Sequence, residues 1–180
     1  MKKRQLDHLL RAAGRITGET EFIVIGSQAL HGKAEDIADE ILMSFEADLI
    51  ARNHPDRTDW LNVIGVASPF HEEFGYYADP VDEKTATLPA GWKQRLIPLP
   101  PGDNKGVTGY CLEPHDLAIS KLVANREKDV AFVLQMIKRG LASKSVLLER
   151  LAATPAPDAV KEAIRARLQR VRTPRGASRS

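Results

Sequence analysis

Phe22-Ile23-Val24-Ile25 constrains the chain more than any other stretch: four consecutive apolar residues, rich in β-branching, cut off by Gly26-Ser27. That length and branching describe a buried strand, apolar on both faces. Upstream, Leu6, Leu9, Leu10, Ala13 and Ile16 recur at helical spacing, so residues 4–16 read as an amphipathic helix broken by Gly18. Downstream, Gln28-Ala29-Leu30 looks like the start of a short helix.

A second strand is expected at 43–50, then a turn at Asn53-His54-Pro55. Residues 56–65 suggest a helix with Trp60, Leu61 and Ile64 on one face. Tyr76-Tyr77 open a strand ending near Pro80, and 95–99 pairs with 108–112 across a Pro/Gly-rich connector. After Leu112 the texture becomes helical. Pro114 suits a first turn, and Asp116 complements the positive end of that helix, which runs over 117–124. Val130, Val133, Leu134 and Ile137 mark a second helix, 146–151 a third, and Val160, Ile164, Leu168 and Val171 a fourth. The expected fold class is α/β (α+β): a small mixed sheet flanked by helices, then a helical C-terminal bundle. The expected divisions are 1–113, 114–172 and a disordered tail at 173–180.

Composition narrows the class. Hydrophobic residues at 43% and charged residues at 28% exclude wholesale disorder. No apolar run approaches the roughly 18 residues of a membrane span, and no h-region follows the basic N-terminus, so a soluble cytoplasmic protein without a membrane partner is expected. The single Cys111 can form no internal disulfide and reads as a small core residue. With 26 Lys+Arg against 24 Asp+Glu, the balance does not declare a nucleic-acid binder. Acids gather between Glu35 and Asp59, and the arginines from Arg165 onward have no acid among them. An acidic middle suits metal ions and a basic tail suits phosphate, although both also read as ordinary solvated surface.

Two motifs carry candidate chemistry. Gly26-Ser27 ends a buried strand and opens a helix, where free amides and a hydroxyl can meet a phosphate; a tight turn with a serine cap explains it equally well. Glu46-Ala47-Asp48 lies in an apolar strand, and alternation puts both acids on one face. Such a pair repels itself unless a cation intervenes, and Mg²⁺ takes oxygen ligands of this kind; two solvated acids on an edge strand are the bland alternative. Together, a phosphate-gripping turn and paired acids form the layout that nucleotidyl transfer needs.

In Ile25-Gly26-Ser27-Gln28-Ala29-Leu30 and Glu46-Ala47-Asp48 the chain resembles the polymerase-beta-type nucleotidyltransferase superfamily. More closely, it resembles small bacterial nucleotidyltransferase-like proteins related to AbiEii-type toxins, through Lys121-Leu122-Val123-Ala124-Asn125-Arg126-Glu127-Lys128-Asp129 and the 87–96 segment. The resemblance implies a metal-dependent transfer of a nucleoside monophosphate from a nucleoside triphosphate to an RNA or protein hydroxyl. It also implies a toxin–antitoxin or phage-defence setting with a cognate antitoxin. It implies that Glu46 and Asp48 hold Mg²⁺ (or Mn²⁺), that Gly26 and Ser27 hold phosphate, and that Lys121 neutralises phosphate charge, joined by Arg126 and Lys128 in binding nucleotide. A third metal-binding carboxylate should lie on a later strand, at Asp79 or Asp82. On a continuous helix, Lys121 and Lys128 would share a face.

The chain departs from the pattern at two positions: Glu46 where aspartate is more usual, and Phe132 where the toxin pattern has a second aspartate. These departures sustain an alternative, a catalytically degenerate module that binds nucleotide, RNA or protein. A basic nucleic-acid binder using the Arg-rich C-terminal helix is a further alternative. His31 neighbours the Gly-Ser turn, but a lone histidine is more often on the surface.

Overall fold

The computed structural model describes residues 1–33 and 44–171. They group into two compact units, Met1–Ala86 with Gly91–Glu113, and Thr87–Ala90 with the chain from Pro114 onward. The start of the expected second strand at Met43, the acids Glu35 to Glu40 and the expected tail at 173–180 lie outside the described residues.

The first unit opens with α1 (Lys3–Thr17), whose Leu6, Leu9, Leu10 and Ala13 are fully buried. Burying each leucine is worth about 2 kcal/mol. That outweighs the roughly 1 kcal/mol cost of a glycine inside a helix. Gly14 is there for space: a Cβ would run into the Val107 side chain and the Glu19 carbonyl. Gly18 ends α1 in the left-handed conformation, φ 69°, and its amide returns to the Gly14 carbonyl.

The sheet follows: β1 (Glu21–Val24), β2 (Glu46–Ala51), β3 (Tyr77–Pro80), β4 (Ile97–Pro98) and β5 (Thr108–Cys111). Its order is β3-β2-β1-β5-β4, so β1 is central, as its apolar run requires. β1 is antiparallel to β2 and parallel to β5, β2 is parallel to β3, and β4 is antiparallel to β5. β3 is an edge strand, where Pro80 costs no ladder bond on its open side. Cys111 is fully buried in β5, and burial pushes its thiol up to about 12.

Several elements differ from expectation. Residues 55–64 wind as a 3₁₀ helix, Pro55–Ile64, burying Leu61 and Ile64 but leaving Trp60 51% exposed beside Arg57. Three residues per turn carry a side chain off the face that 3.6 would give it. β2 begins at Glu46, so Phe45, expected within the strand, stands outside it and 66% exposed. The unexpected α2 (Pro69–Phe74) is capped by Ser68, whose Oγ accepts from the His71 amide. Among the described residues no helix is long and apolar enough to cross a membrane.

The second unit is helical: α3 (Pro114–Ala124), α4 (Glu127–Lys138), α5 (Lys144–Ala152) and α6 (Asp158–Arg170). Leu117, Ile119, Val133, Met136, Leu147, Leu151, Ile164 and Leu168 are buried, but Leu134 is 40% exposed. Asp116 does more than complement a helix dipole: it is fully buried, with Arg150 Nε 3.4 Å from its Oδ1. Asn125, φ 54°, separates α3 from α4, so Lys121 and Lys128 do not lie on one continuous helix. Asparagine tolerates that left-handed conformation better than most residues.

Glu19 ties the start of β1 to the turn after β2. It is 3% exposed and accepts hydrogen bonds from the Thr20, Glu21, Asn53 and His54 amides, and from the Asn53 and His54 side chains. Burial pushes its carboxyl upward, but the hydrogen bonds from Asn53, His54 and the amides win, holding it at about 2 against an ordinary 4.5. A depressed folded value stabilises above the unfolded value, and that stability is lost as pH falls through the folded one. Glu19→Gln should therefore cost about 3 kcal/mol at pH 7. Urea unfolding should show the gap from wild type closing between pH 4.5 and 2.

Candidate functional site

Alternation along β2 shows in its burial: Ala47 and Leu49 are sealed inside, while Glu46 and Asp48 are half-buried on the other face. β3 repeats the arrangement, with Ala78 sealed and Tyr77 and Asp79 half-buried. The parallel register sets Glu46 opposite Tyr77 and Asp48 opposite Asp79. Three carboxylates, Glu46, Asp48 and Asp79, therefore share one sheet face with a tyrosine among them. Asp82, the other candidate for the later carboxylate, lies past the strand in an exposed turn, where it accepts from the Lys84 amide and the Thr85 hydroxyl.

The turn after β1 reaches the same place. The Ile25 amide donates to the Asp48 carbonyl at 3.1 Å, carrying the β1–β2 ladder to the edge of Gly26. A Cβ on Gly26 would fall on the Asp48 carboxylate. Gly26 has φ −75°, a conformation open to any residue, so glycine is needed here for room alone. Ser27, half-buried, begins the 3₁₀ helix Ser27–Gly32. Gly26, Ser27, Glu46, Asp48 and Asp79 thus come from three neighbouring segments of one unit. His31 is buried rather than on the surface, with Nε2 3.0 Å from the Met1 carbonyl oxygen.

The electrostatics of the face are those of crowded negative charge. Burial and the Glu46 charge raise the Asp79 carboxyl above the usual range. The Tyr77 hydroxyl donates to Glu46 Oε2 at 2.9 Å. Burial, that hydrogen bond and the charges of Glu46, Asp79 and Asp48 push it up to about 12, so it stays protonated. Among the described residues no group of three or more His, Cys, Asp or Glu forms a ready metal cage. Mg²⁺ does not require one, since it is usually held by one or two carboxylates together with substrate phosphates. A crowded carboxylate face that raises its own Asp79 fits a divalent cation chemically, because a cation relieves the repulsion.

Lys121, Arg126 and Lys128 belong to the second unit. Asp129, 2% exposed, binds Lys121 Nζ at 3.1 Å and Arg126 Nε at 2.6 Å. Burial alone would raise the Asp129 carboxyl, but Arg126 and Lys121 lower it below the usual range. Lys121 also lies 5.6 Å from the centre of the Phe132 ring. Lys128 is exposed on α4. Tyr77 was missed in the sequence, although Tyr77-Ala78-Asp79 repeats the spacing of Glu46-Ala47-Asp48.

Gly26→Ala should cost about 1 kcal/mol or less, since the new methyl displaces only the end of the Asp48 side chain. In an Asp48→Ala background most of that cost should vanish, and a double-mutant cycle by urea unfolding measures the coupling.

No curated protein and no solved structure gives a significant match to this chain. A family described as "nucleotidyltransferase of unknown function (DUF6036)" matches residues 3–170. The match takes in both the β2–β3 carboxylate face and the Lys121–Asp129 cluster, and the chain belongs to this nucleotidyltransferase family.

Proposed function

We propose that the protein is a metal-dependent nucleotidyltransferase that moves a nucleoside monophosphate from a nucleoside triphosphate to a hydroxyl of an RNA or protein acceptor. The observation that carries this reading is the shared face of Glu46, Asp48 and Asp79 beside the Gly26 backbone. In this reading Glu46, Asp48 and Asp79 supply the carboxylate ligands that hold Mg²⁺ or Mn²⁺ together with the substrate phosphates, with Asp79 taking the role left open between Asp79 and Asp82. When bound, the cation supplies Lewis-acid stabilisation of phosphoryl charge.

The chain's own groups bind and orient. The backbone at Gly26 and Ser27 and the Ser27 hydroxyl bind phosphate oxygens. Lys121 neutralises phosphate charge, and Arg126 and Lys128 add to nucleotide binding. The acceptor oxygen forms a bond to the α-phosphorus as the bond to the bridging oxygen breaks. Pyrophosphate leaves, and the hydroxyl proton passes to a carboxylate or to water. The reading places the chain among polymerase-beta-type enzymes near the AbiEii-type toxins. It acts in a cytoplasmic toxin–antitoxin or phage-defence setting, with a cognate antitoxin as partner.

A second reading, a degenerate module that binds nucleotide, RNA or protein, is favoured by one observation: Asp129 already engages both Lys121 and Arg126. The two readings separate on incubation with each labelled nucleoside triphosphate, Mg²⁺ and total RNA. The protein should transfer label to itself or to RNA. Asp48→Ala and Asp79→Asn should each lower transfer by about 100-fold or more. Asp82→Asn should leave it near wild type. Mg²⁺-dependent nucleotide binding without transfer would establish the second reading, and nucleotide affinity indifferent to Mg²⁺ would remove both.

A further inference from the structure

Glu46 carries one more rotatable bond than an aspartate would, which makes its carboxylate harder to place. The fold answers with a tether. Tyr77, opposite Glu46 in the β2–β3 register, donates its hydroxyl to Oε2 and leaves Oε1 outside that bond. Ala78, the next residue, is fully buried, so β3 cannot slip by one residue without turning Tyr77 off this face.

The tyrosine ring is held in turn by His71, whose ring centre is 4.5 Å away at a tilt of 53°. His71 is itself fixed at two points. Its Nδ1 accepts from the Ala67 amide at 3.0 Å, which puts the ring proton of the neutral form on Nε2. Its own amide donates to Ser68 Oγ at 3.1 Å. Ala67 adopts φ 58°, a left-handed conformation that costs a non-glycine residue about 1 kcal/mol or more. Supporting hydrogen bonds behind a ligand decide how well that ligand is aimed.

We propose that Tyr77 is a positioning residue: its hydroxyl fixes one oxygen of Glu46 so that the other serves the divalent cation, and the loop from Ala67 to His71 steadies the tyrosine. This rests on the reading that Glu46, Asp48 and Asp79 hold that cation. Tyr77 touches neither nucleotide nor acceptor in this role and acts through Glu46.

The test is direct Mn²⁺ binding to the full chain by titration calorimetry without turnover, first alone and then with a non-hydrolysable nucleoside triphosphate present. Tyr77→Phe removes only the hydroxyl and should weaken Mn²⁺ by about tenfold. Its urea midpoint should stay close to that of wild type. In a Glu46→Gln background, Tyr77→Phe should produce no further loss, because there is no carboxylate left to aim. His71→Ala, which keeps the hydroxyl but loosens the ring, should weaken Mn²⁺ by about threefold and reports on the tether should Tyr77→Phe fold poorly. If Asp48→Ala loses Mn²⁺ while Tyr77→Phe and His71→Ala bind as wild type, the positioning role is wrong and the cation site stands. An equal loss with and without Glu46 also overturns it. A wild-type chain that does not bind Mn²⁺ even with the non-hydrolysable nucleoside triphosphate present overturns the cation site and the tether together.

Discussion

The approach of Asp48 to Gly26 is the contact on which the rest of the site depends. Two backbone facts produce it. The antiparallel β1–β2 ladder runs on through the Ile25–Asp48 hydrogen bond, and Gly26 has no side chain to occupy the space that the carboxylate takes. Backbone at the turn and a carboxylate on the neighbouring strand can then face the same ligand. Any other residue at 26 would force the two apart, and the steric demand would be met by moving Asp48, whose side chain is softer than the paired backbone.

The two units handle charge in opposite ways. On the sheet, three carboxylates share one face; burial and the Glu46 charge raise the Asp79 carboxyl, and burial, the Glu46 hydrogen bond and the neighbouring charges keep the Tyr77 hydroxyl protonated. In the helical unit a single buried carboxylate, Asp129, gathers two cations and is lowered. The first arrangement leaves like charges side by side on one face. The second is internally balanced, with Lys121 further settled by Phe132.

Much of this was legible in the chain because it is local. The apolar run at 22–25, the helical repeat of α1, the alternation of Glu46 and Asp48 and the Pro114 start of α3 each follow from a few neighbouring residues. The illegible parts depended on packing. A 3₁₀ winding of 55–64 displays Trp60 where an α-helix would have buried it. α2 is six residues long, too short for periodicity to register. The end of a helix at Ala124 was legible, but the left-handed conformation of Asn125 that sets α4 off from α3 was not.

The sequence by itself determined that a glycine-terminated buried strand and an acid-x-acid strand exist, because strand alternation and the need for close backbone approach are written in consecutive residues. Only the tertiary structure decided that Asp79, rather than Asp82, stands beside Asp48, and that Tyr77 reaches Glu46. Both depend on the register between β2 and β3, segments about thirty residues apart. Register is set by which faces must be buried and by the path of the chain between the strands, and neither is contained in any short window of sequence.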